Sequence, residues 1–241
     1  MLKKLKSIVR KQQMHPSWLG MFLNPFYITR RQLFEHIRSL APLINGKVLD
    51  IGCGQKPYSF LFKCDEYIGL EIDTAENRAR KKADWFYDGK HIPAEDSSFD
   101  WIVTNEVFEH VFNPDEFLAE VYRVLKSGGG LMMTVPFVWD EHEQPYDYAR
   151  YSSFGIKFIL AKHCFTVVEQ KKTAPDIRVI FQLINAYLYK ILVTKSPIVN
   201  QLLWFFCLST FNILGEVLHY FVPGNNDLYL DNVIVAKKES A

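Results

Sequence analysis

The run Val48-Leu49-Asp50-Ile51-Gly52-Cys53-Gly54 constrains this chain more than any other part of it. An apolar stretch of strand length ends in two glycines one residue apart, with an acid two residues before the first. Glycines so placed after a buried strand let the backbone turn sharply and approach a ligand with no Cβ in the way. A chain built on such a turn alternates strand and helix, which predicts a parallel sheet covered on both faces. A tight turn without a ligand is the plain alternative, and a dinucleotide-binding turn is the sharper one. The dinucleotide turn wants a third glycine where Pro57 stands. It also wants positive potential for a pyrophosphate, whereas Asp50 offers a carboxylate that suits a cation.

Further runs at 47–51, 67–72, 101–105, 131–135 and 166–169 read as strands. They are too apolar to be half exposed, as in parallel strands buried on both faces. Asn113-Pro114 opens a helix with Phe117, Leu118, Val121 and Leu125 on one face and Gly128-Gly129-Gly130 as its end. Residues 152–162 read as another helix. The expected fold class is therefore α/β, a doubly wound sheet with right-handed crossovers and ligands outside the carboxyl ends of its strands. The stretch 176–222 breaks this rhythm: it reads as helical and unusually apolar, around Leu202-Leu203-Trp204-Phe205-Phe206. After Pro223-Gly224-Asn225-Asn226, a last strand is expected at 228–236. No charged residue lies between Lys195 and Glu216, so a membrane span has to be weighed. Asn200, Gln201, Ser209, Thr210 and Asn212 dilute the run, and a span would strand the last β-segment on the wrong side of the membrane. A packed or interfacial helix pair is the expectation.

A chain of 241 residues, 49% hydrophobic and 23% charged, is long and apolar enough for one sizeable globular domain. The net charge of +1 argues against a general polyanion binder, and no nucleic-acid partner is expected. Lys3, Lys4, Lys6, Arg10 and Lys11 all precede the first acid, Glu35. Residues 1–44 are accordingly read as a basic helical segment, followed by a domain at 45–241 with an apolar helical insertion at 176–222. Cys53, Cys64, Cys164 and Cys207 show neither metal-ligand spacing nor a local histidine cluster. No metal and no disulfide framework are expected, and a reducing cytoplasm is the compartment they suit. No secretory signal is recognisable.

The glycine segment resembles motif I of the class I S-adenosylmethionine-dependent methyltransferases, and further landmarks follow in that family's order. Glu71 ends Tyr67-Ile68-Gly69-Leu70-Glu71, where the family's acid binds the ribose hydroxyls. Asp88, in Tyr87-Asp88-Gly89-Lys90-His91-Ile92-Pro93, resembles the acid that contacts the adenine amino group. Phe99-Asp100-Trp101-Ile102-Val103-Thr104-Asn105 resembles the fourth strand, and Glu106 to His110 the loop beneath the methionine end. Arg123-Val124-Leu125-Lys126-Ser127-Gly128-Gly129 resembles the turn before strand five. Together these cover roughly residues 45–172 and the last strand. The resemblance implies a mostly parallel seven-stranded Rossmann-like sheet and S-adenosylmethionine as cofactor, held by Asp50, Gly52, Gly54, Glu71, Asp88 and Asn105. One departure stands out. The family's usual third glycine falls at Lys56, which either reshapes the carboxylate end of the cofactor pocket or neutralises that carboxylate.

After strand five come Val135-Pro136-Phe137 and then Glu141-His142-Glu143-Gln144-Pro145-Tyr146-Asp147-Tyr148-Ala149-Arg150-Tyr151. A loop there leaves the sheet's carboxyl edge beside the reacting methyl group, and its residues supply a base and hydrogen bonds for a polar acceptor. It resembles a bacterial subgroup with a His-Glu-x-Pro-Tyr-Asp-x-x-Arg signature, linked to surface-polysaccharide pathways. The expected reaction is methyl transfer to a hydroxyl of a small molecule or of a sugar or polysaccharide precursor, a lipid-linked one included. His142 is the first candidate base and His110 the second; Asp147 orients a base, and Tyr146 and Arg150 bind the acceptor. A surface loop in which Asp147 and Arg150 only pair with each other is the plain alternative. A nucleotide-dependent oxidoreductase and a non-catalytic scaffold of the same fold are the competing function classes. The basic start and the aromatic stretch 202–222 suit an enzyme peripheral to the inner membrane surface, while a helical cap or homodimer face explains them equally well.

Overall fold

The structure, a computed structural model, describes residues 9–239. Lys3, Lys4 and Lys6 of the basic segment lie outside the described residues; Arg10 and Lys11 lie within them and are exposed. Seven strands among the described residues form one sheet. They are β1 (Lys47–Ile51), β2 (Glu66–Ile72), β3 (Trp85–Tyr87), β4 (Phe99–Asn105), β5 (Leu125–Pro136), β6 (Phe165–Lys172) and β7 (Asp231–Lys238). Their spatial order is β3-β2-β1-β4-β5-β7-β6, and the first five of that row run parallel. β7 runs the other way beside β6: Glu239 donates to Cys164 at one end, while Thr173 donates to Asp231 at the other. The order reverses direction at β1 and β4, the place where an α/β sheet opens a crevice for a ligand.

The helices include α1 (Tyr27–Leu40), α2 (Ala75–Arg80), α3 (Pro114–Val124), α4 (Ser153–Lys162), α5 (Arg178–Leu192) and α6 (Pro197–Leu218), the last with a π-turn at Trp204–Leu208. The chain divides into two compact units. One holds residues 37–137, 141–171 and 232 onward; the other holds the described residues up to 36, 138–140 and 172–231.

The first unit carries most of the sheet and its core. Leu49, Ile51, Ile102, Leu131, Met133 and Ile234 are buried in its strands, α3 adds Phe117, Leu118, Val121 and Val124, and α4 adds Ile156 and Leu160. Each such side chain stabilises the fold by about 1.5–3 kcal/mol relative to exposure. The end of α3 differs from the sequence expectation. Leu125 is not on the helix face but begins β5, paired with Phe99, and the glycines lie inside the strand rather than closing the helix. Gly128 alone turns left-handed (φ 70°). Gly130 is needed because any Cβ there would collide with the Trp101 indole. β3 is the strand that the apolar pattern did not mark: it is three residues long and only half buried.

The second unit packs Tyr27, Ile28, Ala174, Val179 and Leu230 into a small core. Its seam with α6 is polar. Asn212 is fully buried, accepts from Asn185 Nδ2 at 2.9 Å and donates to the carbonyls of Met21 and Asn24 at 2.9 and 3.0 Å. Gly215 brings α6 close, since a Cβ there would lie 3.0 Å from Ile28. With these polar and small residues facing inward, the apolar Ile198, Leu202, Phe206 and Val217 face outward. α6 is long and apolar enough to cross a membrane, yet Ser209 and Asn212, two of the residues that dilute its hydrophobicity, face inward.

Candidate active site

The glycine turn lies at the carboxyl end of β1. Gly52 (φ 70°) and Gly54 (φ 53°) both adopt left-handed backbone, which costs a Cβ-bearing residue about 1 kcal/mol or more. A Cβ on Gly52 would also strike Cγ2 of Val107, so the loop after β4 lies directly on this turn. Gly54 has open space instead, and its N–H donates to Glu71 Oε1 at 2.6 Å, tying the turn to the end of β2. Lys56 takes the same left-handed form (φ 53°), so it keeps the backbone of a third glycine while being lysine. Its side chain passes over Gly69, where a Cβ would collide with it, and pairs with Asp84.

Carboxylates predominate at this edge, with the Lys56 charge acting on Asp50 as the counterweight. Asp50 is buried and accepts from Tyr67 Oη at 2.5 Å. Burial pushes its carboxyl up to about 7, with the nearby Glu71 charge adding to the rise and the Tyr67 hydrogen bond opposing it. Glu71 is buried as well. Asp88, past β3, accepts from the N–H groups of Lys90 and His91 at 2.8 and 2.9 Å, and these bonds hold its carboxyl below the usual range. Asn105 ends β4 with its Oδ1 buried and given no hydrogen-bond donor among the described residues. A ligand that fits here brings hydroxyl, amino and cationic groups. S-adenosylmethionine has all three, whereas a pyrophosphate brings only further acceptors.

A second cluster forms where the loops after β4 and β5 meet. Glu106 turns left-handed (φ 53°) at the end of β4, held by two bonds from its N–H to Thr134, and a 3₁₀ turn follows at Phe108–His110. Phe108 is fully buried against Phe117 and Tyr151, and this anchor carries Glu109 inward to zero exposure. The Glu109 carbonyl accepts from the N–H groups of Tyr148 and Ala149, which fastens the second loop to the first. The imidazoles of His110 and His142 thereby meet edge to face, 4.8 Å between centroids. Their Nε2 atoms stand 3.6 and 3.7 Å from Glu109 Oε1. His110 Nδ1 lies 2.7 Å from the Tyr146 carbonyl and His142 Nδ1 3.3 Å from Asp147 Oδ2. Asp147 receives both arms of Arg150, at 2.5 and 2.7 Å, and this bond drives its carboxyl down to about 2.

Residues 49–133 match the family described as a methyltransferase domain. Over those residues the chain is similar to methyltransferase domains. A Mycolicibacterium smegmatis protein named as a probable S-adenosylmethionine-dependent methyltransferase is 32% identical over 96 residues, which is 37% of this chain and 37% of that one. The chain thus spans well under half the length of that curated relative. Phosphoethanolamine N-methyltransferase 2 of Haemonchus contortus, solved with S-adenosyl-L-methionine, superposes with a TM-score of 0.55 at 20% identity, over 92% of this chain and 56% of that one. An S-adenosylmethionine-dependent methyltransferase from Mesorhizobium loti superposes with a TM-score of 0.53 at 12% identity, over 87% and 99% of the two chains. At such identities these two structures speak to the fold.

Of the residues named from the sequence, Asp50, Gly52, Gly54 and Glu71 lie together at the carboxyl ends of β1 and β2, Asp88 follows β3 and Asn105 ends β4. His110, His142 and Asp147 converge. Tyr146 contributes its carbonyl to His110 while its ring is exposed, and Arg150 faces Asp147. Sequence reasoning did not single out Glu109, nor the exposed ring pair Phe112 and Tyr148, 5.2 Å apart. An acid between a large aromatic and a histidine, just after a buried strand, was the available signal for Glu109.

Proposed function

We propose that this chain transfers a methyl group from S-adenosylmethionine to a hydroxyl of a small acceptor, with a sugar or polysaccharide precursor as the favoured class. The observation that carries the reading is the His110–His142–Glu109 cluster, set in a loop that touches the glycine turn through Val107 and Gly52. When bound, the cofactor supplies a methyl group on a sulfonium, open to in-line displacement. Asp50, Glu71, Asp88 and Asn105 hold and orient it by accepting from its donors. A neutral hydroxyl has to lose its proton in the reaction, and the histidine cluster is the group placed to handle it. Asp147 positions His142, and Arg150 keeps Asp147 ionised. The exposed rings of Phe112, Tyr146 and Tyr148 suit the apolar face of a sugar ring. The carboxylate-rich lining also disfavours the pyrophosphate of a dinucleotide. Calorimetric titration with S-adenosylmethionine and with nicotinamide dinucleotides tests this directly. Binding of the first alone, followed by S-adenosylhomocysteine release only when a sugar hydroxyl acceptor is added, is expected; dinucleotide binding, or no release with any hydroxyl acceptor, counts against it.

A specific observation also favours an acceptor met at a membrane surface. α6 turns Asn212 and Ser209 inward and Ile198, Leu202 and Phe206 outward, and Phe221 and Tyr220 beyond it are exposed too. Arg10 and Lys11 are exposed cations, each worth about 1 kcal/mol near an anionic bilayer. Flotation with anionic vesicles is expected to carry the protein upward, and Leu202→Ser with Phe206→Ser to abolish it. A stable dimer that ignores vesicles and dissociates on the same substitutions would assign the face to a second copy.

A further inference from the structure

The Glu109 carboxylate is fully buried, and neither of its oxygens has a hydrogen-bond donor among the described residues. Such a group is costly unless a positive charge sits beside it. The side chains nearest it are Nε2 of His110 and Nε2 of His142, and the Arg150 guanidinium lies near enough for its charge to act on the carboxylate. Both imidazoles have their other nitrogen committed: the Tyr146 carbonyl accepts from His110 Nδ1–H, and the Asp147 carboxylate stands at His142 Nδ1. With Nδ1 carrying the proton, each ring turns a lone pair from Nε2 toward Glu109. One carboxylate oxygen and two imidazole nitrogens thus lie within 4.8 Å of one another, a spacing that a single cation can bridge. The partners behind the rings are of the kind that orient histidine ligands, a carboxylate for one and a backbone carbonyl for the other.

We propose that Glu109, His110 and His142 bind one divalent cation, of the class that two imidazoles and a carboxylate favour, such as zinc, manganese or ferrous iron. Three protein ligands leave coordination positions for an outside oxygen, so the site is of the open rather than the closed kind. This rests on the methyl-transfer reading only for its purpose. At the acceptor end of the site the cation binds the acceptor hydroxyl and lowers its pKa. The O–H bond breaks with its proton passing to bulk water, and the O–CH₃ bond forms as the S–CH₃ bond breaks. The bonding pair stays on sulfur, and the cation keeps its charge and oxidation state throughout. His142 then serves as a ligand rather than as a free base.

The test titrates the full chain, stripped with EDTA, with cobalt(II) followed by visible absorption and with zinc(II) followed by calorimetry. One cation per chain is expected, with d–d bands of a nitrogen and oxygen ligand set and no thiolate charge-transfer band. Glu109→Gln, His110→Gln and His142→Gln should each weaken binding by more than about a hundredfold, and Asp147→Asn by about 10–100-fold. The affinity for S-adenosylmethionine, measured on the same samples, should stay within about twofold of the unsubstituted chain, which also certifies that the variants are folded. No binding below about 1 mM, or binding that the three ligand substitutions leave unchanged, overturns the proposal. Cation binding without methyl transfer to any hydroxyl would leave the site standing and remove the reading of its purpose. Methyl transfer that is unaffected by EDTA, with no cobalt bound, would do the reverse.

Discussion

The cofactor edge and the acceptor cluster both bury carboxylates at the end of one sheet, yet they treat them in opposite ways. Asp50 and Glu71 each receive a protein donor, from Tyr67 Oη and from the Gly54 N–H. Glu109 receives none and is met by imidazole nitrogens at 3.6 and 3.7 Å. In the first arrangement the two carboxylates are already tied to the chain, and Asn105 Oδ1 is the acceptor left without a donor among the described residues. The second leaves the Glu109 oxygens without a hydrogen-bond donor among the described residues, and the proposed cation would supply their partner. On the proposed reading, recognition of the cofactor sits on one side and reactivity on the other.

The sharpest way to break this contrast is at the cluster. His142→Ala should lower turnover by about 10²–10⁴-fold, the range typical of a group that manages a proton in the reaction. Cofactor affinity should hardly move. Equal losses in turnover and in calorimetric cofactor affinity would show that the two sides are one site. The converse substitution acts on binding. Glu71→Ala removes a charged acceptor worth roughly 1.5–3 kcal/mol, so the dissociation constant for S-adenosylmethionine should rise about tenfold or more. Turnover at saturating cofactor should stay close to that of the unsubstituted chain, and an unchanged dissociation constant would make Glu71 a structural acid only.

A smaller effect separates the two sides by pH. Asp147 is held down to about 2 by Arg150, so its contribution is present above the unfolded value near 4 and is lost as pH falls through about 2. Arg150→Met should therefore destabilise the protein at pH 7 by up to about 2 kcal/mol, with the difference shrinking in acid. Asp50 is raised to about 7, so the folded state gains from its protonated form below about 4 and loses that gain as pH rises through 7. Asp50→Asn should thus raise the melting temperature of the ligand-free protein at pH 8 and leave it nearly unchanged at pH 4. Thermal melts of both variants across pH 3–9 check the two opposite slopes.

The glycine turn was legible because its constraints are local. Gly52 and Gly54 follow their strand directly, and the partner acid Glu71 is fixed by the next parallel strand, where Ile51 pairs with Leu70. The cluster was half legible. His110, His142 and Asp147 are conspicuous residues in the right loops, but what joins them is the adjacency of β4 and β5 and the anchoring of Phe108. Glu109 reads as a solvated loop acid until that packing turns it inward. Lys56 was legible as a departure from the family pattern, and its answer was not: only the backbone shows that lysine can keep the glycine conformation while its ammonium goes to Asp84. The glycines after α3 misled for a related reason, because a helix-ending signal and a flat strand beneath a tryptophan ring use the same residue.

The placement of β7 between β5 and β6 has a consequence for the order in which the molecule is made. During synthesis, β1 to β6 leave the ribosome first, and α5 and α6 follow, with β5 holding an unsatisfied row of backbone groups throughout. That edge closes only when residues 231–238 emerge. The nascent chain therefore displays a bare strand and an apolar helix at the same moment, the combination that chaperones capture and that favours misassembly.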